Sequence, residues 1–316
     1  MALKPIPLFP AYRSGALTPW GGEGLKKYFG KDIPDERTGE ALEMSVIKGL
    51  NSVDDRGTPL QTLIDQLGEQ LTGTAVKGEF PLLLKLLNAK DRLSVQVHPD
   101  DTYAAEHENK LGKTEAWVIL HAEEGAGIIY GVKEGVTREE LMEASLQGAA
   151  IEKLLRFVPV KAGETYFIPA GMVHAIGEGI TLYEIQQSSD VTYRFYDWER
   201  TDAQGNKRQL HLKDAIAVTD IKNQGKAVEP RLIEEGRYEL LHNPHFTTER
   251  WVNREAVLPV DTRRFAILTA LGDTTLCWED GSLQAGAGQS IMLPADLTKV
   301  TMKTADALIS YPTVAD

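Results

Sequence analysis

Two ten-residue stretches set 125 positions apart restrict the folds open to this 316-residue chain more than any other feature. Lys161-Ala162-Gly163-Glu164-Thr165-Tyr166-Phe167-Ile168-Pro169-Ala170 and Gly286-Ala287-Gly288-Gln289-Ser290-Ile291-Met292-Leu293-Pro294-Ala295 each place a Gly, five residues, a Pro and an Ala in the same order. The five residues between Gly and Pro have strand composition, and Gly and Pro punctuate their ends. One strand-and-turn unit repeated at long spacing predicts two β-barrel units built alike, unless the two stretches agree by chance. The copies differ chemically. Five residues beyond the first Pro stands His174, a potential metal ligand, whereas the second copy has Lys299, which offers no lone pair while protonated. One unit is therefore expected to carry a metal site, and the other to have lost it or never had it.

Short β runs fill most of the chain. Residues 41–48, 80–87, 166–168, 181–185 and 191–196 read as strands, as do 265–271, 274–278, 290–293 and 300–302 nearer the end. Helices are few. Thr58 as N-cap and Pro59 at the first helical position open one whose Leu60, Leu63, Ile64, Leu67 and Leu71 recur at helical spacing before Gly73. Thr137-Arg138-Glu139-Glu140 is a capping box for a helix reaching Gln147, and residues 211–218 are a short third candidate. The segment 199–206 is a turn-rich loop. Gln224, Gly225 and Pro230 then break any periodicity, which predicts two domains, residues 1–225 and a smaller all-β 226–316 of sandwich or jelly-roll texture.

Charge limits the partners. A formal net charge of −12 argues against nucleic acid and anionic membranes, both of which need a basic face. A small anionic substrate stays open wherever a local basic cluster attracts it. The one cysteine, Cys277, cannot form an intramolecular disulfide, which fits a reducing cytoplasm. Met1-Ala2-Leu3-Lys4-Pro5 has no hydrophobic signal core, and no apolar run reaches membrane-spanning length. A cytoplasmic monomer or homodimer is expected.

The chemistry concentrates between Leu93 and Glu115. In Leu93-Ser94-Val95-Gln96-Val97-His98, apolar and polar side chains alternate, the period of a strand with one buried face. Gln96 and His98 leave the same face. Lys113-Thr114-Glu115 leads into a second strand-like run, Ala116-Trp117-Val118-Ile119-Leu120. A neutral imidazole, a carboxylate and an amide oxygen converging from adjacent strands make a cage for a divalent metal, to which His174 adds a ligand. Each residue also has a blander reading: a hydrogen-bonded structural His98, a surface Gln96, a solvated Lys113 on a turn. His107, His121, His211, His242 and His245 lack comparable neighbours and read as structural or exposed. Tyr193, Phe195, Tyr196 and Trp198 read as core.

Several of these motifs carry a family resemblance. Gly163-x5-Pro169-x-Gly171-x2-His174 resembles the second cupin motif, with Glu178 where many cupins have Asn, and Gln96-Val97-His98 with a delayed Glu115 resembles a modified first motif. Further motifs are Trp20-Gly21-Gly22, Lys113-Thr114-Glu115-Ala116-Trp117 and Gln186-x3-Asp190-x-Thr192-Tyr193-Arg194-x2-Asp197-Trp198. As a set they make the chain similar to the type I mannose-6-phosphate isomerases in their short bacterial form. The motifs lie in the first two thirds, and the last third matches mainly in length and β texture. The resemblance implies a mainly β fold of cupin-type jelly-roll barrels, with a few helices inserted in the N-terminal part. It also implies one zinc ion on Gln96, His98, Glu115 and His174, an active-site arginine at Arg194, and interconversion of mannose 6-phosphate and fructose 6-phosphate.

That reaction moves a proton between C1 and C2, with charge building on the carbonyl oxygen of an enediolate, and a divalent cation stabilises such charge as a Lewis acid. Arg194, permanently cationic in a strand-like run, is expected to face the cavity and stabilise the enediolate or a substrate oxygen, unless it serves a structural salt bridge. Lys113 is expected on the face of Glu115, to bind phosphate or shuttle a proton. The base is left open, with Glu178 and metal-bound water as further candidates. Two histidines and a glutamate also describe the facial triad of non-haem iron oxygenases. A non-catalytic cupin that binds a sugar phosphate is the third reading.

Overall fold

The apolar runs become strands in the computed structural model of the chain, which describes residues 2–314. β1 (Ile6–Leu8) is followed by β2 (Ala11–Ser14), β3 (Thr38–Met44), β4 (Leu82–Ala89), β5 (Val95–Val97) and β6 (Glu115–Ala122). Then come β7 (Gly127–Val132), β8 (Leu155–Pro159), β9 (Thr165–Ile168), β10 (His174–Ile176), β11 (Ile180–Gln187) and β12 (Tyr193–Tyr196). The rest of the chain forms β13 (Arg231–Glu234), β14 (Arg237–His242), β15 (Phe246–Val257) and β16 (Ala266–Ala270). β17 (Thr274–Trp278), β18 (Gly281–Ala285), β19 (Ser290–Leu293) and β20 (Thr301–Pro312) complete it. All α-helices among the described residues precede β13: α1 (Gly24–Phe29), α2 (Leu60–Leu67), α3 (Glu69–Thr72), α4 (Asp101–Glu108), α5 (Arg138–Leu146) and α6 (Leu212–Val218). None is long and apolar enough to cross a membrane.

The fold is the mainly β, cupin-like one expected. A six-stranded sheet, β2-β3-β4-β11-β6-β9, and a five-stranded sheet, β12-β5-β10-β7-β8, share a core. Leu87, Trp117 and Leu182 of the first pack with Ile128, Tyr130 and Ile176 of the second. The C-terminal sheet contains the order β13-β14-β15-β20-β16-β19, a strand-for-strand repeat of β2-β3-β4-β11-β6-β9. Register carries the repeat further: Ile168 of β9 pairs with Glu115, and Leu293 of β19, 125 residues on, pairs with Ala266. The sequence repeat is thus a repeat of barrel architecture. β1 crosses to the C-terminal sheet and pairs with β19, and Leu8 shares one core with Leu84, Phe265 and Leu308.

Local signals succeeded where the backbone was free to obey them. The capping box at Thr137 forms, with Thr137 Oγ1 accepting the Glu140 N–H at 3.1 Å and Glu140 Oε2 accepting the Thr137 N–H at 2.9 Å. The helix predicted from Thr58 is shorter than its apolar spacing suggests. Pro59 pairs in a β-bridge with Val53 and takes ψ 140°, so the helix starts at Leu60 and Thr58 caps nothing. A proline fixes φ but leaves ψ to its surroundings. Gly68, at φ 51°, ends α2 and puts Leu71 on the separate turn α3.

Candidate metal centre and its cavity

β5 runs between β10 and β12, so that Gln96 faces His174 across one ladder and Arg194 across the other. His98 follows the last residue of β5, Glu115 opens β6 and His174 opens β10. Three strand ends thereby deliver their side chains to one buried point. Nε2 of His98 is 3.6 Å from Glu115 Oε2, and Nε2 of His174 is 3.4 Å from Glu115 Oε1. Gln96 Nε2 lies 3.3 Å from His174 Nε2, while its Oε1 accepts the Ser94 hydroxyl at 3.2 Å. Ligand atoms of His98, Glu115 and His174 converge, whereas Gln96 lies beside them with its amide nitrogen toward His174 and its oxygen, the atom that would ligate, on Ser94.

Outer partners fix the imidazoles. His98 Nδ1 donates to the Val191 carbonyl and His174 Nδ1 to the Met172 carbonyl, each at 2.8 Å. Both Nε2 atoms therefore keep their lone pairs turned inward, the arrangement that orients metal-ligating histidines. Burial pushes the His174 imidazole down to about 3, and burial with the Lys113 charge holds His98 well below the usual range. Neutral imidazole is the form that ligates.

Glu115 is the anomaly that a cation would resolve. It is fully buried, and neither carboxylate oxygen accepts a hydrogen bond from an uncharged donor. Burial pushes its pKa up to about 7 despite the opposing Lys113 charge. The Lys113 ammonium, 2.8 Å from Oε2, is its one charged partner. A buried carboxylate met by a single ammonium and faced by two imidazole lone pairs fits a divalent ion of the zinc type. The three ligand atoms lie within 4.8 Å of one another.

Lys113 is buried rather than solvated, with Nζ also 3.0 Å from His98 Nε2. Arg194 makes no carboxylate ion pair among the described residues, so the salt-bridge alternative is not what forms. Its Nε donates to Ser94 Oγ at 3.1 Å and its Nη1 to the Gln209 carbonyl at 3.0 Å. Arg194, Lys113 and Gln96 line one cavity of about 290 Å³. Glu178 is exposed on the turn between β10 and β11, away from that cavity, which removes it as a candidate base in this geometry.

Sequence reasoning passed over the cavity's other charged wall. Lys85 and Glu184 are buried 3.0 Å apart, and Glu184 Oε2 also accepts the Trp117 indole N–H at 3.1 Å. Burial pulls the Lys85 pKa down, but Glu184 and Glu40 together hold it above its ordinary value, and Lys85 with Lys113 holds Glu184 below against its own burial. The signal was present: Lys85 is the one charge in Leu82-Leu83-Leu84-Lys85-Leu86-Leu87. Arg208, on the same cavity, is clamped by Asp197 through Nε at 2.7 Å and Nη2 at 2.5 Å.

A jelly-roll barrel whose strand ends gather two histidines and a carboxylate beside a charged cavity defines a cupin-type protein with a metal-ion centre. Comparison narrows that class. Residues 14–114 match the model of the type I phosphomannose isomerase catalytic domain. The mannose-6-phosphate isomerase of Streptococcus mutans is 42% identical over 276 residues, 84% of this chain and 86% of that one. The crystal structure of mannose 6-phosphate isomerase from Bacillus subtilis matches with a TM-score of 0.89 at 33% identity, covering 98% of this chain and 99% of that one. A mannose 6-phosphate isomerase solved with zinc and yttrium has the same fold, with a TM-score of 0.80 at 17% identity over 99% and 100% of the two chains. The chain belongs to the type I phosphomannose isomerase family.

Proposed function

We propose that the chain interconverts mannose 6-phosphate and fructose 6-phosphate by proton transfer between C1 and C2, with zinc as its metal. The observation that carries this reading is the buried Glu115 carboxylate, faced by the inward Nε2 atoms of His98 and His174 and by the Lys113 ammonium. Glu115, His98 and His174 would hold the ion, and Gln96 would add a weaker ligand once its amide oxygen turns inward from Ser94. Bound zinc supplies Lewis-acid stabilisation of charge on a substrate oxygen without redox chemistry of its own.

The chain's own groups do the rest. Arg194, anchored through Nε and Nη1, binds a substrate oxygen and opposes the charge that develops there. Lys113 holds or moves a proton at Nζ, inside the cavity and two residues from Glu115. The Lys85–Glu184 pair keeps the wall charged and fixed.

Membership in an isomerase family disfavours the iron-oxygenase and non-catalytic readings. A coupled isomerase assay before and after chelation, with zinc added back, tests the proposal, and turnover that survives complete chelation would overturn it. We also infer division into units 1–225 and 226–316, supported by the repeated sheet order. A cytoplasmic location rests on the lone, exposed Cys277, and a monomer or homodimer remains our inference.

A further inference from the structure

The C-terminal sheet bounds a cavity of about 420 Å³, larger than the first, and strand register identifies the two as one place in two copies of one architecture. Ala266 takes the position of Glu115, because Leu293 pairs with it as Ile168 pairs with Glu115. Arg264, two residues earlier, then stands where Lys113 stands. Glu184 pairs with Lys85, and Ile309, 125 residues on, pairs with Glu249. Glu40 pairs with Leu87, and Arg237 with Trp251. Lys113, Lys85 and Glu40 line the first cavity, and their counterparts Arg264, Glu249 and Arg237 line the second.

The cavity is kept and its chemistry is inverted. Ala266 replaces the Glu115 carboxylate and Lys299 the His174 imidazole, so the metal donors are gone. Glu249 is fully occupied: it accepts Arg237 through Nε and Nη2, the Trp251 indole and the Tyr311 hydroxyl, all at 2.8 Å. It is scaffold. Arg264 is paired with Asp261 on the same lining, yet keeps one hydrogen-bond donor unused. Lys113 is tied to Glu115, but Arg264 has alanine in that place. Its Nε lies 3.0 Å from Asp261 Oδ2, its Nη1 donates to the Pro312 carbonyl at 3.2 Å, and its guanidinium lies 4.0 Å from the centre of the Tyr311 ring. Nη2 carries no hydrogen bond among the described residues. Leu258, Pro294 and Leu297 make the apolar wall nearby.

We propose that this second cavity binds a phosphomonoester with a ring-sized body, its phosphate on Arg264 Nη2 and its ring against the apolar wall. A guanidinium edge with an aliphatic wall is the chemistry that recognises such an anion. The choice of phosphate over carboxylate rests on the sugar-phosphate reading of the first cavity, of which this one is the copy. No bond is made or broken there.

Calorimetric titration of the zinc-loaded chain with glucose 6-phosphate and, separately, adenosine 5′-monophosphate tests the site. Two sites per chain for the hexose phosphate assign a sugar ligand, and one site for the nucleotide assigns a nucleoside. In either case Arg264→Ala weakens the added site at least tenfold, and Ala266→Trp fills it, with mannose 6-phosphate turnover unchanged. If Ala266→Trp fails to fold, Arg264→Ala alone decides. No site for either ligand that Arg264→Ala weakens, or an added site indifferent to both substitutions, overturns the proposal. Lack of turnover in a chain that still shows the Arg264-dependent site would sink the isomerase reading and leave this one standing.

Discussion

Gln96 and His174 are direct partners across the antiparallel ladder of β5 and β10, with Gln96 Nε2 3.3 Å from His174 Nε2. Backbone pairing, rather than side-chain choice, therefore sets the distance between two of the metal-site residues, and a ladder is stiff. The loss of either side chain leaves a hole in a site whose geometry the sheet still imposes.

His174→Ala is expected to abolish both zinc content and isomerase activity while the barrel still folds. Elemental analysis and a coupled assay on the same preparation check this. Full activity in a metal-free variant would remove the mechanism. Gln96→Ala, which takes away only a weak neutral ligand, should lower zinc affinity by about 10- to 100-fold, the range seen when metal-site support is lost.

Arg194→Ala should keep its zinc and lose about 100-fold or more in kcat, the usual size of a lost charge-stabilising donor. The arginine hydrogen-bonds Ser94 and the Gln209 carbonyl but none of the proposed metal ligands, which is why metal content and turnover should separate. A loss of less than tenfold would make Arg194 a structural strut.

Zinc uptake should release a proton near neutrality. With its pKa pushed up to about 7, the Glu115 carboxyl of the metal-free chain is mostly protonated at pH 6, whereas a ligating carboxylate is not. His174, at about 3, has no proton to give there. Calorimetry in two buffers of different ionisation heat should find nearly one proton released at pH 6 and almost none above pH 8. Equal heats in both buffers at pH 6 would contradict the buried, protonated Glu115.

Lys85→Met should destabilise the fold by about 3 kcal/mol or more, because it strands the Glu184 carboxylate in the interior. Adding Glu184→Leu should restore much of that loss, since an apolar pair can replace a buried ionic one. Thermal unfolding of the two single variants and the double variant reads the coupling. Additive losses would mean that the two charges do not support each other.

Much of the first barrel was legible because its signals are local. Alternation along Ser94–His98, the Thr137 capping box and the Gly-x5-Pro spacing each act within a few residues, where backbone geometry translates pattern directly into structure. The site residues were legible for a related reason: Gln96 with His98, and Lys113 with Glu115, sit two apart on extended backbone and must share a face. The N-terminus of α2 misled because Pro59 answers to a bridge with Val53, a contact that its immediate neighbours do not encode. Lys85 and Glu184, 99 residues apart, went unpaired in the sequence reading because only the β4–β11 ladder sets them side by side.

The amino-acid order alone pointed to two similar β-units, and it proposed Gln96, His98, Glu115 and His174 as the side chains a metal ion would ask for. Only the tertiary structure decided that Glu115 lies buried between two inward imidazoles, that Arg194 faces the cavity without a carboxylate partner, and that Arg264 inherits the place of Lys113. Those are matters of register and burial. They depend on which strand ends meet across a sheet, and pairing between residues far apart in the chain leaves no local trace in either.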